Sequence, residues 1–265
     1  MFSPNIFNTI FVFPILNLLV IFYKFFLYVH LPGAFGFAII ALTVFIRLLF
    51  YPFFGQQIRT TKKLQELKPH LDTLSEKHKK DPKKLQEEQM RLYKEAGINP
   101  ATGCLLALIN IPIFYALYSV FFTFLHSTNQ AVLIKSINSA LYWPILHISY
   151  LNFWFFGFNL ALAPQKAGVW YYYLVPVVTA LLQYFAAPGM GAAAPAQIDE
   201  AADAKGKAAE SKKQKGGDFQ QAMNMQMKYL FPLMIGWFAF TLPVGLSLYW
   251  NVVSIFTIIQ YKQHK

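Results

Sequence analysis

A chain of 265 residues that is 56% hydrophobic, 18% aromatic and only 13% charged excludes an ordinary soluble domain, whose charged share is about 25%. The net charge of +11 does not signal a specific nucleic-acid binder, because seven acids are interleaved with eleven Lys/Arg between Arg59 and Glu95. The single cysteine, Cys104, excludes an intrachain disulfide and a Cys-rich metal site.

Segments of 18 or more mostly apolar residues recur, so the chain reads as an all-α polytopic membrane protein. Residues 1–32 come first. Asn5–Tyr28 is apolar but carries Pro14, Asn17 and Lys24. Those interruptions predict an interfacial amphipathic helix on the outer side, with a sixth span as the alternative. The first cation is Lys24 and no small-residue cleavage site precedes it, so no cleaved signal peptide is expected.

The first span is assigned to 33–54, GAFGFAIIALTVFIRLLFYPFF, with one charge, Arg47. A cation at that depth costs roughly 2.5–3.5 kcal/mol, and arginine cannot escape by deprotonating. All 12 acids lie elsewhere, seven between Glu66 and Glu95 and five between Asp199 and Asp218. Arg47 is therefore predicted to face a wet cavity and to take its anionic partner from another molecule. The bland alternative is a snorkel to the cytoplasmic headgroups. The distance to the predicted end of the span, about eight residues or roughly 12 Å, argues against it. Thr43, one turn earlier on the same face, either lines that cavity or bonds its own backbone.

Residues 55–100 form the polar part. Leu64, Leu67, Leu71 and Leu74 make one apolar stripe, and Asp81-Pro82 supplies a cap and a first-turn proline. A second helix follows with Leu85, Leu92 and Ala96 on one side and Gly97 as its stop. The prediction is an antiparallel cytoplasmic helical hairpin, since 11 of the 23 Lys/Arg fall there and only Lys135 and Lys166 fall in Ser127–Gly168. Its size suggests a docking role for its basic faces.

The second span is assigned to 101–126, with Asn110 and Pro112 near its middle. Residues 127–168 are read as an extracytoplasmic interfacial segment, on the strength of Trp143, Trp154, Phe155 and Phe156. The third span is 169–187, containing Pro176 and Gln183. Residues 188–227, rich in Ala, Gly, Lys, Asp and Glu, are predicted to be a disordered cytoplasmic linker. The last apolar block is too long for one crossing and is broken by Pro243 and Gly245. It divides into a fourth span, 228–241, and a fifth, 245–261, both short, before a tail at 262–265.

Asn110, Gln183, Asn251 and Ser254 are polar groups at mid-span, which wet a groove or bond between helices. Tyr249 and Trp250 read first as packing residues. Paired carboxylates, an activated nucleophile, a phosphate-cradling loop and a metal cluster are all missing, so neither an enzyme nor a cofactor is expected.

TVFIRLLFYP (Thr43–Pro52), NPATGCLLALINIPIFYALY (Asn99–Tyr118), YYYLVPVV (Tyr171–Val178) and LPVGLSLYWNVVSIFTIIQ (Leu242–Gln260) together resemble the YidC/Oxa/Alb family of membrane protein insertases. The resemblance runs from about Pro14 to Tyr261 and includes the order of the elements. It implies five transmembrane helices around a hydrophilic groove open to the cytoplasm and lipid and closed outside. It also implies that Arg47 attracts acidic residues in a client's translocated tail, and it adds Tyr249 and Trp250 to the groove. The implied partners are nascent membrane proteins and the bilayer of a bacterial inner membrane. A ribosome, a signal-recognition receptor or a Sec-type translocon would dock on the 55–100 hairpin, and the protein would act as a monomer. The large periplasmic domain of some members is missing. Two departures stand out: the final turn is Pro243-Val244-Gly245 where PSG is frequent, and Trp250 stands where some relatives have Tyr. The rival readings are a small-anion transporter or channel, against which the lack of an internal repeat counts, and a non-inserting assembly factor.

Overall fold

The computed structural model describes residues 5–78, 81–98, 111–122, 130–190 and 229–263. A π-helical turn, Asn8–Val12, runs directly into α1 (Phe13–Tyr28). Together they form a 21-residue helix of mean hydropathy 2.3, one of two among the described residues long and apolar enough to cross a membrane unaided. Its polar residues turn to the chain itself. Asn17 Nδ2 donates to the carbonyls of Phe13 (2.8 Å) and Ala140 (3.1 Å), and Oδ1 accepts from the Tyr142 N–H at 2.8 Å. The Tyr23 hydroxyl donates to the Tyr150 carbonyl at 3.4 Å and accepts from the Asn152 N–H at 3.2 Å. Lys24 donates to the carbonyls of Ile145 and His147. The polar interruptions thus bind α1 to the 140–152 segment, so they do not by themselves argue for a helix lying among lipid headgroups.

Two left-handed residues, His30 (φ 54°) and Gly33 (φ 79°), reverse the chain into α2 (Ala34–Leu49). A Cβ at Gly33 would press on the Phe155 ring, so this turn needs glycine for space as well as for φ. α2 packs along α1 through ring pairs such as Tyr23–Phe35 (centroids 5.8 Å) and Phe22–Phe45 (6.0 Å).

At Phe50 the helix stops, and α3 (Tyr51–Lys77) leaves at 71°. The cause is Pro52 in the first turn of α3. Its ring would clash with the Leu48 carbonyl if α2 continued, and it has no N–H to offer. Arg47 therefore stands in the last turn of α2, not eight residues short of a helix end. The argument against snorkelling drawn from that distance does not hold; burial decides the matter instead.

α3 packs on α4 (Pro82–Glu95) around buried Leu71, Tyr93 and Ile98, with Leu64, Leu67, Leu92 and Ala96 at the margin. Leu74 and Leu85 lie outside this cluster. Asp81 caps α4 by accepting from the Lys84 N–H at 3.1 Å, and Gly97 at φ 65° turns the chain away. The middle of α3 is fastened to the rest of the molecule: Gln65 Nε2 donates to the Pro188 carbonyl (3.2 Å), and its Oε1 accepts from Tyr261 (3.0 Å).

Beyond α5 (Ile111–Phe122) and α6 (Gln130–Asn138), the chain continues through a turn at Pro144–Leu146. A two-residue pair of strands follows, Trp154–Phe155 with Phe158–Asn159, in antiparallel register Trp154↔Asn159. Trp143, Trp154 and Phe156 are exposed there, as headgroup-level rings would be. Phe155, predicted with them, instead packs edge-on against Phe37 at 5.2 Å.

A short helix, α7 (Pro164–Ala167), precedes α8 (Leu174–Met190), α9 (Phe231–Thr241) and α10 (Val244–Gln263). α9 continues a helical turn at residues 229–230, the edge of the described residues. α10 has 20 residues, because the helix continues through Lys262, so the predicted fifth span is longer than expected. The first N–H groups of α10 have acceptors: Val244 N–H donates to the Leu162 carbonyl and Gly245 N–H to the Leu160 carbonyl, each at 2.9 Å. Phe35, Phe121 and Phe153 pack beneath this junction with Leu160 and Leu246, all buried. Cys104, Asn110, the linker from 191 onward and residues 99–100 lie outside the described residues.

Candidate functional site

Residues of α10 at spacings of three and four (Val253, Thr257, Gln260) share the helix face that meets the end of α2. Arg47 reaches into that face. Its Nη2 donates to the Val253 carbonyl at 3.2 Å and to Thr257 Oγ1 at 3.1 Å, and its Nη1 donates to Gln260 Oε1 at 3.5 Å. Thr257 in turn donates to the same Val253 carbonyl at 2.9 Å. The guanidinium carbon lies 4.2 Å from the centroid of the Phe54 ring, the first buried ring of α3. The Tyr249 side chain, fully enclosed, also interacts electrostatically with Arg47.

Arg47 is 4% exposed, so it neither snorkels to a headgroup nor lies against lipid. The predicted wet cavity is not what surrounds it in this conformation. A carbonyl, a hydroxyl and an amide of α10 occupy the positions assigned to water. All are neutral. Among the described residues no carboxylate pairs with it; the ion pairs there are those of Arg91 with Glu88 and Glu95. A buried guanidinium with hydrogen bonds but no counter-charge attracts any anion that can reach it.

The other predicted residues divide. Thr43 is buried but donates to the Ile39 carbonyl at 2.7 Å, so its hydroxyl is engaged with its own helix. Gln183 of α8 accepts from Ser254 at 2.6 Å, which joins α8 to α10 one turn from Thr257. Asn251 keeps a buried Oδ1 without a partner. Trp250 stacks on Phe114 of α5, with centroids 5.5 Å apart and planes 17° apart. Asn110 lies outside the described residues.

The sequence reading missed Thr257, Gln260, Phe54 and the Val253 carbonyl. A signal for the first two existed: Asn251, Ser254, Thr257 and Gln260 follow one another at helical spacing along α10. Among the described residues no group of His, Cys, Asp and Glu could hold a metal ion.

The family model described as 60Kd inner membrane protein matches residues 26–264. The chain is 31% identical over 231 residues to a protein of Caldanaerobacter subterraneus subsp. tengcongensis named membrane protein insertase YidC, covering 87% of this chain and 85% of the relative. It is 33% identical over 232 residues to the inner membrane ALBINO3-like protein 2, chloroplastic, of Chlamydomonas reinhardtii. It is 32% identical over 236 residues to the inner membrane protein ALBINO3, chloroplastic, of Arabidopsis thaliana. These two alignments each cover 85% of this chain, but it spans only 48% and 46% of those relatives' lengths.

Proposed function

Because the chain belongs to the 60Kd inner membrane protein family, that of the YidC/Oxa/Alb insertases, we propose that it is a membrane protein insertase of a bacterial inner membrane. Its substrates are nascent membrane proteins. The observation that carries the mechanism is the neutral enclosure of Arg47: a permanent cation held by three acceptors of α10, none of them charged. When α2 and α10 part on the cytoplasmic side, the guanidinium becomes the strongest attractor in the membrane for a client's acidic or polar tail. Thr43, Asn110, Gln183, Tyr249, Trp250 and Asn251 contribute to the same groove.

Thinning of the bilayer beside the groove shortens the apolar distance the tail must cross. The drive is the transfer of the client's own helix into lipid, about 25 cal/mol per Å² of apolar surface removed from water. For a 20-residue helix that gain far exceeds the cost of hosting a few polar groups for a short time. No nucleotide is needed. In this arrangement 55–100 and 188–227 are cytoplasmic and 127–168 is outside. A ribosome, signal-recognition receptor or Sec-type translocon docks on α3 and α4, and the protein acts as a monomer.

The test is insertion of single-span clients by Arg47→Ala and Arg47→Lys proteins. Loss with alanine for acidic-tailed clients and substantial retention with lysine are expected. Equal insertion by wild type and Arg47→Ala across several clients would remove the charge from the mechanism.

A further inference from the structure

Gln260 is 2% exposed, and its two amide atoms have different fates. Oε1 accepts from Arg47 Nη1 at 3.5 Å, whereas Nε2 has no hydrogen-bond partner among the described residues. A buried amide N–H without an acceptor is a standing cost to the fold, and such atoms are uncommon. This one stands beside a cation that has no counter-charge among the described residues. The three bonds Arg47 makes use three of the five N–H donors of its guanidinium. One small region therefore gathers donors from a guanidinium and from an amide, with no acidic group to answer them.

A carboxylate is the group that answers both. Its two oxygens offer about four lone-pair sites, enough to accept from the guanidinium and the amide together. Its charge also shortens and strengthens both bonds. A neutral carbonyl can accept but brings no charge. We infer that Gln260 is a specificity-determining partner of Arg47, the two forming a paired-donor receptor for an aspartate or glutamate side chain of the client. This rests on the insertase reading above. Thr257 and the Val253 carbonyl hold the guanidinium until a client arrives, and the carboxylate displaces them because it is charged and they are not. Two other buried atoms of α10 lack a partner among the described residues: Asn251 Oδ1 can only accept, and the Ser247 hydroxyl, which can donate, lies more than three helical turns from Gln260.

The experiment uses the full chain in phosphatidylcholine vesicles and two single-span clients identical but for the tail, one carrying two Asp and the other two Asn. Gln260→Met removes the amide and keeps the length. It is expected to lower insertion of the Asp-tailed client about tenfold, the worth of one hydrogen bond to a charged group. The Asn-tailed client should lose several-fold less, so that the ratio between the two clients falls. Gln260→Glu supplies Arg47 with an internal carboxylate and should abolish the preference for the Asp tail. If Gln260→Met does not reach the membrane, Gln260→Glu, close in size and polar, decides alone. Equal losses for both clients, or no loss for either, overturn the role given to Gln260. Should Arg47→Ala lose the Asp preference while both Gln260 variants keep it, the insertase reading stands and this inference fails. Wild-type protein that inserts neither client overturns the insertase reading itself.

Discussion

The Arg47 guanidinium and the Phe54 ring, 4.2 Å apart, face each other across the bend that separates α2 from α3. The contact joins the membrane-embedded charge to the first turn of the polar helix pair. Desolvated cation–π pairs of this kind are worth about 2 kcal/mol, and the ring is itself buried. Phe54→Leu keeps the volume and loses the π face. It is expected to lower the thermal midpoint of the detergent-solubilised protein and Phe54→Trp to preserve it, provided Arg47 is present. In an Arg47→Met background the two variants should differ by much less, and an unchanged difference would show that the ring acts by packing alone.

Gly245 admits no side chain, because a Cβ there would overlap the Phe121 ring. Gly245→Ala is expected to cost about 1–3 kcal/mol, the usual penalty of overpacking. Phe121→Leu should cost stability on its own but recover much of the loss when combined with Gly245→Ala. A double-mutant cycle measures this directly, and strict additivity of the two changes would rule out the contact as the cause.

Asn17 makes three hydrogen bonds, two of them to the backbone at Ala140 and Tyr142. Replacement by Leu leaves that carbonyl and that N–H without partners, at about 1–3 kcal/mol for each group left buried. The expected outcome is faster labelling of a cysteine placed at Leu141 by a water-soluble thiol reagent in the detergent-solubilised protein. Labelling at the wild-type rate would mean that the 140–152 segment is held by other contacts.

Tyr93, packed between α3 and α4, has its phenol pushed above the usual tyrosine value near 10 by burial. A raised folded-state value means that the neutral phenol is the form the fold prefers. The stability it contributes is complete below the ordinary value and is lost as pH climbs through the raised one. Amide exchange in residues 64–77 and 83–95 should therefore quicken above about pH 10 in wild type and much less in Tyr93→Phe. The same rise in both proteins would assign it to other groups.

Much of this was legible in the sequence. The single charge at Arg47, the cap at Asp81, the stop at Gly97 and the break at Pro243 are all set by neighbours within a few residues, and pattern reading captures such local causes. Three things were not legible. Pro52 was read as the tail of a span because its effect, a clash with the Leu48 carbonyl, changes direction without changing hydropathy. Asn17 and Lys24 were read as facing headgroups because their acceptors lie more than a hundred positions away, in the outer segment. Thr257 and Gln260 continue the polar spacing of Asn251 and Ser254, but what gives them a role is Arg47, more than two hundred positions away. In the last two cases the deciding partner is distant in sequence, where periodicity has nothing to say.

The carbonyls of Leu160 and Leu162 accept hydrogen bonds from Val244 and Gly245, the opening residues of the final helix. During synthesis those carbonyls are made more than eighty residues before their donors, so this joint waits until the chain has passed Gly245. A ribosome that stalls earlier leaves both carbonyls without the backbone partners that tie the 160–162 turn to the final helix.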